Sequence, residues 1–200
     1  MIAGAIRLVA GVQARWVGSI PEPRQRIYFG NHTSNLDGPV IWAALPDGMR
    51  RATRPVAARD YWLGGPLRRF LAIRVLNAVL IERLRITSEN NPLRDLGAAL
   101  QAGSSLILFP EGRRQADEDA GLLPFRPGLW HLARRHPSVE LVPVHLANLN
   151  RMLPRGDALF VPLMATVTFG SSMPGPAVGE AKGAFLERAR CTVAALGEPR

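Results

Sequence analysis

The stretch Arg26-Ile27-Tyr28-Phe29-Gly30-Asn31-His32-Thr33-Ser34-Asn35-Leu36-Asp37 decides how the chain is read. Its first five residues are a short apolar run with aromatic and β-branched side chains ending on a glycine, which predicts a strand over Arg26–Gly30. Asn31 to Asp37 is polar and turn-forming. Val40 to Leu45 then predicts the body of a helix, stopped by Pro46, Asp47 and Gly48. A strand, a polar turn and a helix in succession form half of a βαβ unit.

The pattern continues toward the C-terminus. Pro55–Ala58 and Val79–Ile81 read as strands with a helix, Pro66–Arg74, between them. Asn90, Asn91 and Pro92 open a helix by the cap-then-proline rule, with Leu93, Leu96 and Leu100 on one face and Gly103 past its end. Ser105 to Phe109 is a buried-strand run that Pro110 ends, and Glu111 to Gly121 reads as a loop. Pro127 starts a helix through Trp130 to Arg135, ahead of strands at Glu140–Leu146 and Leu163–Phe169. A final helix, Glu180–Leu196, turns Phe185, Ala189, Val193 and Leu196 inward. Short apolar strands alternating with helices of about ten residues define an α/β domain. With no linker or internal repeat, the expected organisation is one domain over residues 21–200, preceded by an N-terminal segment, residues 1–20.

In that segment Ile2, Ile6, Val9, Val12 and Trp16 recur at helical spacing, with Arg7, Gly11 and Arg15 on the opposite face. This predicts an amphipathic helix that lies in a membrane interface or docks on its own domain. A spanning helix needs roughly 20 predominantly apolar residues. The longest charge-free stretch, Ala158 to Gly179, is broken by Pro162, Gly170, Pro174, Gly175 and Pro176, and the first residues lack the basic-then-apolar order of a signal peptide.

Two hundred residues suffice for a sizeable core, and 47% hydrophobic with 20% charged residues excludes a disordered tail. Cys191, the single cysteine, excludes an internal disulfide and a multi-cysteine zinc site. The unusual quantity is charge: 25 basic against 16 acidic residues, a net +9. Nearly all the basic residues are arginine, Lys182 being the only lysine. Such a balance predicts an anionic partner: nucleic acid, a phospholipid surface, or an acidic carrier or substrate. Between Gly48 and Ile81, Arg50, Arg51, Arg54, Arg59, Arg68, Arg69 and Arg74 face a single acid, Asp60, and alternate with Tyr61, Trp62 and Phe70. Cationic side chains with aromatic anchors suit anionic headgroups or an acidic acyl carrier protein. No nucleic-acid motif accompanies them, so nucleic acid is not expected as a partner.

In an open α/β sheet the ligand site lies beyond the carboxyl ends of the strands. Three polar sequences occupy such places. In the first, a carboxylate at Asp37, one tight turn from His32, can accept the Nδ1 proton and leave Nε2 as a general base. Equally, His32 can cap the helix that begins near Leu36, with Asp37 favourable in its first turn. The second is Glu82-Arg83. The third, Pro110-Glu111-Gly112-Arg113-Arg114, gathers a carboxylate, a permissive glycine and two guanidinium forks suited to phosphate oxygens. As an isolated cluster it reads equally as solvated loop charges, with Glu111 paired to an arginine.

Together these sequences resemble the glycerolipid acyltransferase family, typified by the 1-acylglycerol-3-phosphate acyltransferases. That family's first motif, Asn-His-x-Ser-x-x-Asp, matches Asn31 to Asp37 in full. Its second ends in an apolar pair, one residue and an arginine, as in Leu80-Ile81-Glu82-Arg83, with Asn77 standing where the family has a leading glycine. The third, Phe-Pro-Glu-Gly-Thr-Arg-Ser, is represented by Phe109-Pro110-Glu111-Gly112-Arg113-Arg114-Gln115, which departs from it at Arg113 and Gln115. Val142-Pro143-Val144 fits the fourth. The resemblance runs from Asn31 to Val144, in the family's order.

The resemblance implies a mixed central sheet flanked by helices, as in glycerol-3-phosphate acyltransferase. It implies His32 as general base and Asp37 as the group that orients it. Arg83 and Arg114 would hold the acceptor phosphate, Glu111 and Gly112 would shape that pocket, and Arg113 would be an additional contact. The implied reaction moves an acyl group from acyl-CoA or acyl carrier protein to the hydroxyl of a lysophosphatidate-like lysolipid without an acyl-enzyme. No cofactor or metal is expected, since His131, His136 and His145 show no ligand spacing. The implied location is the cytoplasmic face of a membrane, peripherally bound. Other acceptors, such as an ornithine lipid or a lysophospholipid, a hydrolase that uses water, and an inactive lipid-binding module are the alternatives.

Overall fold

The computed structural model of the chain describes residues 2–9, 11–83, 87, 90–115, 121–147 and 165–198. In chain order the elements are α1 (Ile2–Val9), β1 (Gln13–Trp16), β2 (Arg26–Gly30), α2 (Asp37–Ala44), α3 (Asp47–Ala52), β3 (Thr53–Ala58), α4 (Arg59–Trp62) and α5 (Pro66–Phe70). A π-helical turn, Leu71–Val75, extends α5 and is followed by β4 (Val79–Ile81), α6 (Pro92–Gln101) and β5 (Ser105–Leu108). Then come α7 (Gly128–Arg135), β6 (Glu140–Ala147), β7 (Thr166–Phe169) and α8 (Lys182–Ala195). Residues 116–120 of the expected loop and 163–164 of the expected late strand lie outside the described residues.

The expected caps close α6: Asn91 Oδ1 accepts from the Leu93 amide at 3.0 Å, Pro92 opens the helix, and Gly103 follows it at φ +82°. Among the described residues the seven strands form one sheet in the order β1-β7-β6-β2-β5-β3-β4. β6, β2, β5, β3 and β4 run parallel, while β7 pairs antiparallel with β6 and β1 runs parallel to β7. The sheet is therefore mixed, with β2 near its middle. All five residues of β2 and all four of β5 are buried, because helices cover both faces, and this explains their continuous rather than alternating apolar runs.

One face packs Ile27, Phe29, Leu106 and Leu141 against Leu96, Leu100, Leu129, Leu132, Phe185 and Val193 of α6, α7 and α8. The other packs Tyr28, Ile107, Val142 and Phe169 against Val40, Ile41 and Leu45 of α2 and its end. Full burial of each large apolar side chain contributes about 1.5–3 kcal/mol, so these two layers fix where the strand ends lie.

The N-terminal segment differs from the single helix expected through Trp16. α1 stops at Val9, where Gly11 takes φ +50° and the Val12 amide reaches back to the Arg7 carbonyl at 3.0 Å, a six-to-one helix closure. Gln13–Trp16 then joins the sheet edge beside β7. Ile6, Val12 and Trp16 all pack on the α2 face of the core, and the Trp16 ring stacks on Phe169 at 4.1 Å. Arg7 is turned toward the protein and donates to the Ala43 and Leu45 carbonyls at the end of α2. Among the described residues no helix is long and apolar enough to cross a membrane.

Candidate active site

β2 delivers the first polar sequence to the carboxyl edge of the sheet. Gly30 is required at its end, because a Cβ there would lie 2.6 Å from the Val144 carbonyl oxygen. The next residue, Asn31, is buried and continues the pairing with β6 through its side chain: Nδ2 donates to the Leu146 carbonyl and Oδ1 accepts from the Leu146 amide, both at 2.8 Å. The chain then folds over Asp37, the first residue of α2. Asp37 is fully buried, and its Oδ2 accepts from the Thr33 amide at 2.7 Å and the Ser34 amide at 2.9 Å, beside His32 Nδ1 at 2.8 Å. Ser34 is a turn residue, its Oγ accepting from the Leu36 amide at 3.2 Å. A carboxylate that accepts from backbone amides at a helix N-terminus is fixed in place by them. With Nδ1–H given to Asp37, Nε2 keeps its lone pair.

β5 supplies the second wall. Phe29 pairs with Leu108, so His32 and Glu111 each stand three residues beyond the same register position. The Phe109 ring lies parallel to the imidazole, 4.4 Å away. Glu111 is 2% exposed; its Oε1 accepts from the His32 amide at 2.8 Å and its Oε2 from the Leu123 amide at 3.1 Å. Burial pushes this carboxyl above its ordinary range, with the nearby Asp37 carboxylate adding to the rise, against the pull of those two amides. The Gln115 amide donates to the His32 carbonyl at 2.7 Å, so both backbone polar groups of His32 are held. Gly112 sits at φ +69°, and a Cβ on it would meet the Arg126 side chain at 2.5 Å.

β3 and β4 bring in the second sequence. Ala58 pairs with Ile81, so Asp60 and Arg83, each two residues farther on, are neighbours, and Arg83 Nη2 reaches both Asp60 carboxylate oxygens at 3.1 and 3.2 Å. The turn before β4 uses Asn77 at φ +47°, a left-handed conformation that glycine takes freely and asparagine tolerates. This accounts for asparagine at that place in the second motif.

A cleft of about 140 Å³ opens over these strand ends. His32, Arg83, Gly112 and Arg114 line it, facing apolar groups that include Trp62 and Ile81. Asp37 lies buried behind His32, and Glu111 spends both oxygens on backbone amides without lining the cleft. Arg113 is exposed and also does not line it. The sequence reading did not assign site roles to Phe109, Asp60 or Arg126, or a tethering role to Asn31. Asn31 and Phe109, lying inside the first and third motifs, carried a signal; Asp60 and Arg126 depend on strand register or on a loop fold. Among the described residues, no three His, Cys, Asp or Glu side chains group as metal ligands.

An α/β domain with a His–Asp pair and two arginines at the carboxyl edge of its sheet is the class defined by this geometry. Residues 15–147 match the family model described as Acyltransferase, and the chain belongs to that family. A 1-acyl-sn-glycerol-3-phosphate acyltransferase of Limnanthes douglasii is 27% identical over 173 residues, covering 84% of this chain and 57% of the relative. The protein of the same description from Haemophilus influenzae is 26% identical over 170 residues, covering 70% of this chain and 65% of the relative. The chain thus spans less than two thirds of the length of these curated relatives. The crystal structure of the 1-acyl-sn-glycerophosphate acyltransferase PlsC from Thermotoga maritima superposes with a TM-score of 0.69 at 22% identity, covering all of this chain and 81% of that one, and it shares the fold.

Proposed function

We propose that the protein transfers a fatty acyl group from an acyl thioester, acyl-CoA or acyl carrier protein, to the free hydroxyl of a lysophosphatidate-like lysolipid. The observation that carries this reading is the His32 Nδ1 to Asp37 Oδ2 contact of 2.8 Å, made by a fully buried carboxylate while the imidazole lines the cleft. His32 Nε2 takes the proton of the acceptor hydroxyl as its oxygen attacks the thioester carbonyl carbon. Collapse of the tetrahedral intermediate breaks the carbon–sulfur bond, and the departing thiolate takes the proton back from the imidazolium. Asp37 holds the tautomer and offsets the transient imidazolium charge.

Arg83 and Arg114, which line the same cleft, hold the acceptor phosphate, with Gly112 allowing close approach to the backbone. Glu111 acts as a positioning residue, fixing the His32 backbone to the loop at Leu123. The reaction uses no cofactor beyond the thioester co-substrate, and the acceptor places the protein at a membrane surface.

The test is purified protein with acyl-CoA or acyl carrier thioester and a panel of lysophosphatidate, lysophospholipids and an ornithine lysolipid. Acylation of a phosphate-bearing acceptor is expected, lost on His32→Ala. Preference for an acceptor without a phosphomonoester would contradict the phosphate assignment, and thioester loss without lipid acylation would contradict transfer.

A further inference from the structure

The seven arginines between Gly48 and Ile81 do not form one surface. Arg50 and Arg51 pair with Asp47, Arg54 Nε donates to the Asn77 carbonyl, and Arg68 bonds the Gly64 carbonyl and lies over the Tyr61 ring at 4.7 Å. Arg69 and Arg74 are exposed, and among the described residues neither has an acidic partner. Both belong to the continuous helical stretch made by α5 and its π-turn. The inner side of that stretch is closed by Ala72, and Leu76 just beyond it is also buried. Its outer side carries Leu67, Phe70 and Ile73, which are 69%, 52% and 44% exposed. Among the described residues these are three of the six exposed large hydrophobic side chains, gathered at steps of three within seven positions. Isolated apolar residues on a surface are ordinary; a cluster of them flanked by unpaired cations is not.

We infer that Leu67, Phe70 and Ile73 form a ridge that inserts into an anionic lipid bilayer, with Arg69 and Arg74 on its phosphate headgroups. Charge complementarity selects this occupant: apolar side chains backed by cations match the acyl and headgroup layers of an anionic leaflet. Position agrees with it. The same length of chain that carries the ridge also lines the cleft, through Tyr61 and Trp62 before it and Leu76 and Ala78 after it. A bilayer against the ridge therefore lies beside the mouth of the His32 cleft. That a lipid passes from one to the other rests on the acyl-transfer reading; the docking does not.

Sedimentation of the full chain with vesicles of phosphatidylcholine, with and without phosphatidylglycerol, tests the inference. Binding is expected on the anionic vesicles and should weaken with salt. Replacing Leu67, Phe70 and Ile73 together by glutamate should weaken it by at least about tenfold, and Arg69→Glu with Arg74→Glu by a similar factor. Thermal unfolding of the variants should match the parent, since these side chains are exposed. A spin label on Phe70→Cys, in a Cys191→Ser background, should become inaccessible to aqueous quenchers on vesicle binding. Unchanged binding of the glutamate variants, or a label that stays in water on bound protein, would overturn the ridge, as would a dimer that dissociates on the same substitutions without a loss of lipid binding. His32→Ala must bind vesicles as the parent does; acyl transfer absent from a parent whose ridge-dependent binding persists would sink the reaction and leave the docking intact.

Discussion

The surroundings of His32 and of the cleft arginines are built on different principles. Around His32 most polar groups have a fixed partner: Asp37 Oδ2 holds the imidazole and two amides, Glu111 holds the His32 amide, and the Gln115 amide holds its carbonyl, while Asp37 Oδ1 and Thr33 Oγ1 have none among the described residues. The cleft arginines, Arg83 and Arg114, are exposed, and the Arg83–Asp60 pair is 40% exposed on both sides, where an ion pair contributes little. On the proposed function, the first part serves one proton transfer, and the second offers a guanidinium that an acceptor anion can take from Asp60 at small cost.

This contrast can be broken from either side. Asp37→Asn should lower acyl transfer by roughly 10²–10⁴-fold, mainly in kcat, since the tautomer and the compensating charge are lost together. Steady-state kinetics beside a thermal melt would check it, and a loss confined to stability would contradict the assigned role. Arg83→Ala should act on the other parameter, raising KM for a phosphate-bearing acceptor by about ten- to a hundredfold with kcat nearly kept. A fall in kcat alone would move Arg83 from binding to chemistry.

Gly112→Ala should destabilise the fold by about 1–3 kcal/mol, since it combines a left-handed φ with a clash against Arg126. Placing the same change in an Arg126→Ala background should recover the part due to the clash, as read from denaturant midpoints. The smallest effect concerns Glu111. Its carboxyl is raised above the ordinary 4.5, so the native state holds this proton more tightly than the unfolded chain. Its contribution to stability is therefore present in acid and lost as pH rises from about the ordinary value through the raised one. Glu111→Gln should flatten that fall in unfolding experiments across the acidic range, and an unaltered slope would remove the group from the balance.

The same contrast explains what could be read without coordinates. His32 and Asp37 are five residues apart and meet through one turn, so their contact was legible in the order of residues. So were β2, β4, β5 and α6, whose apolar runs and caps are local signals. The Arg83–Asp60 pair was not, because it depends on the register that aligns Ala58 with Ile81. Nor were the partners of Glu111: read as an isolated cluster it would pair with an arginine, whereas its two oxygens accept from the backbone amides of His32 and Leu123. β1 carried no apolar run, since three of its four residues are exposed on the sheet edge, and the helical spacing of Ile6, Val12 and Trp16 came from burial on one core face by two different elements. The arginines between Gly48 and Ile81 read as one cationic surface, yet most are consumed by carbonyls, Asp47 and an aromatic ring.

The central claim is that His32 is the base for acyl transfer, and rate measurement on His32→Ala tests it most directly. With acyl thioester and a phosphate-bearing lysolipid at saturation, beside the parent and Arg113→Ala, the account predicts a fall of at least about 10²-fold for His32→Ala and less than about twofold for Arg113→Ala. Transfer by His32→Ala within a few-fold of the parent would contradict it.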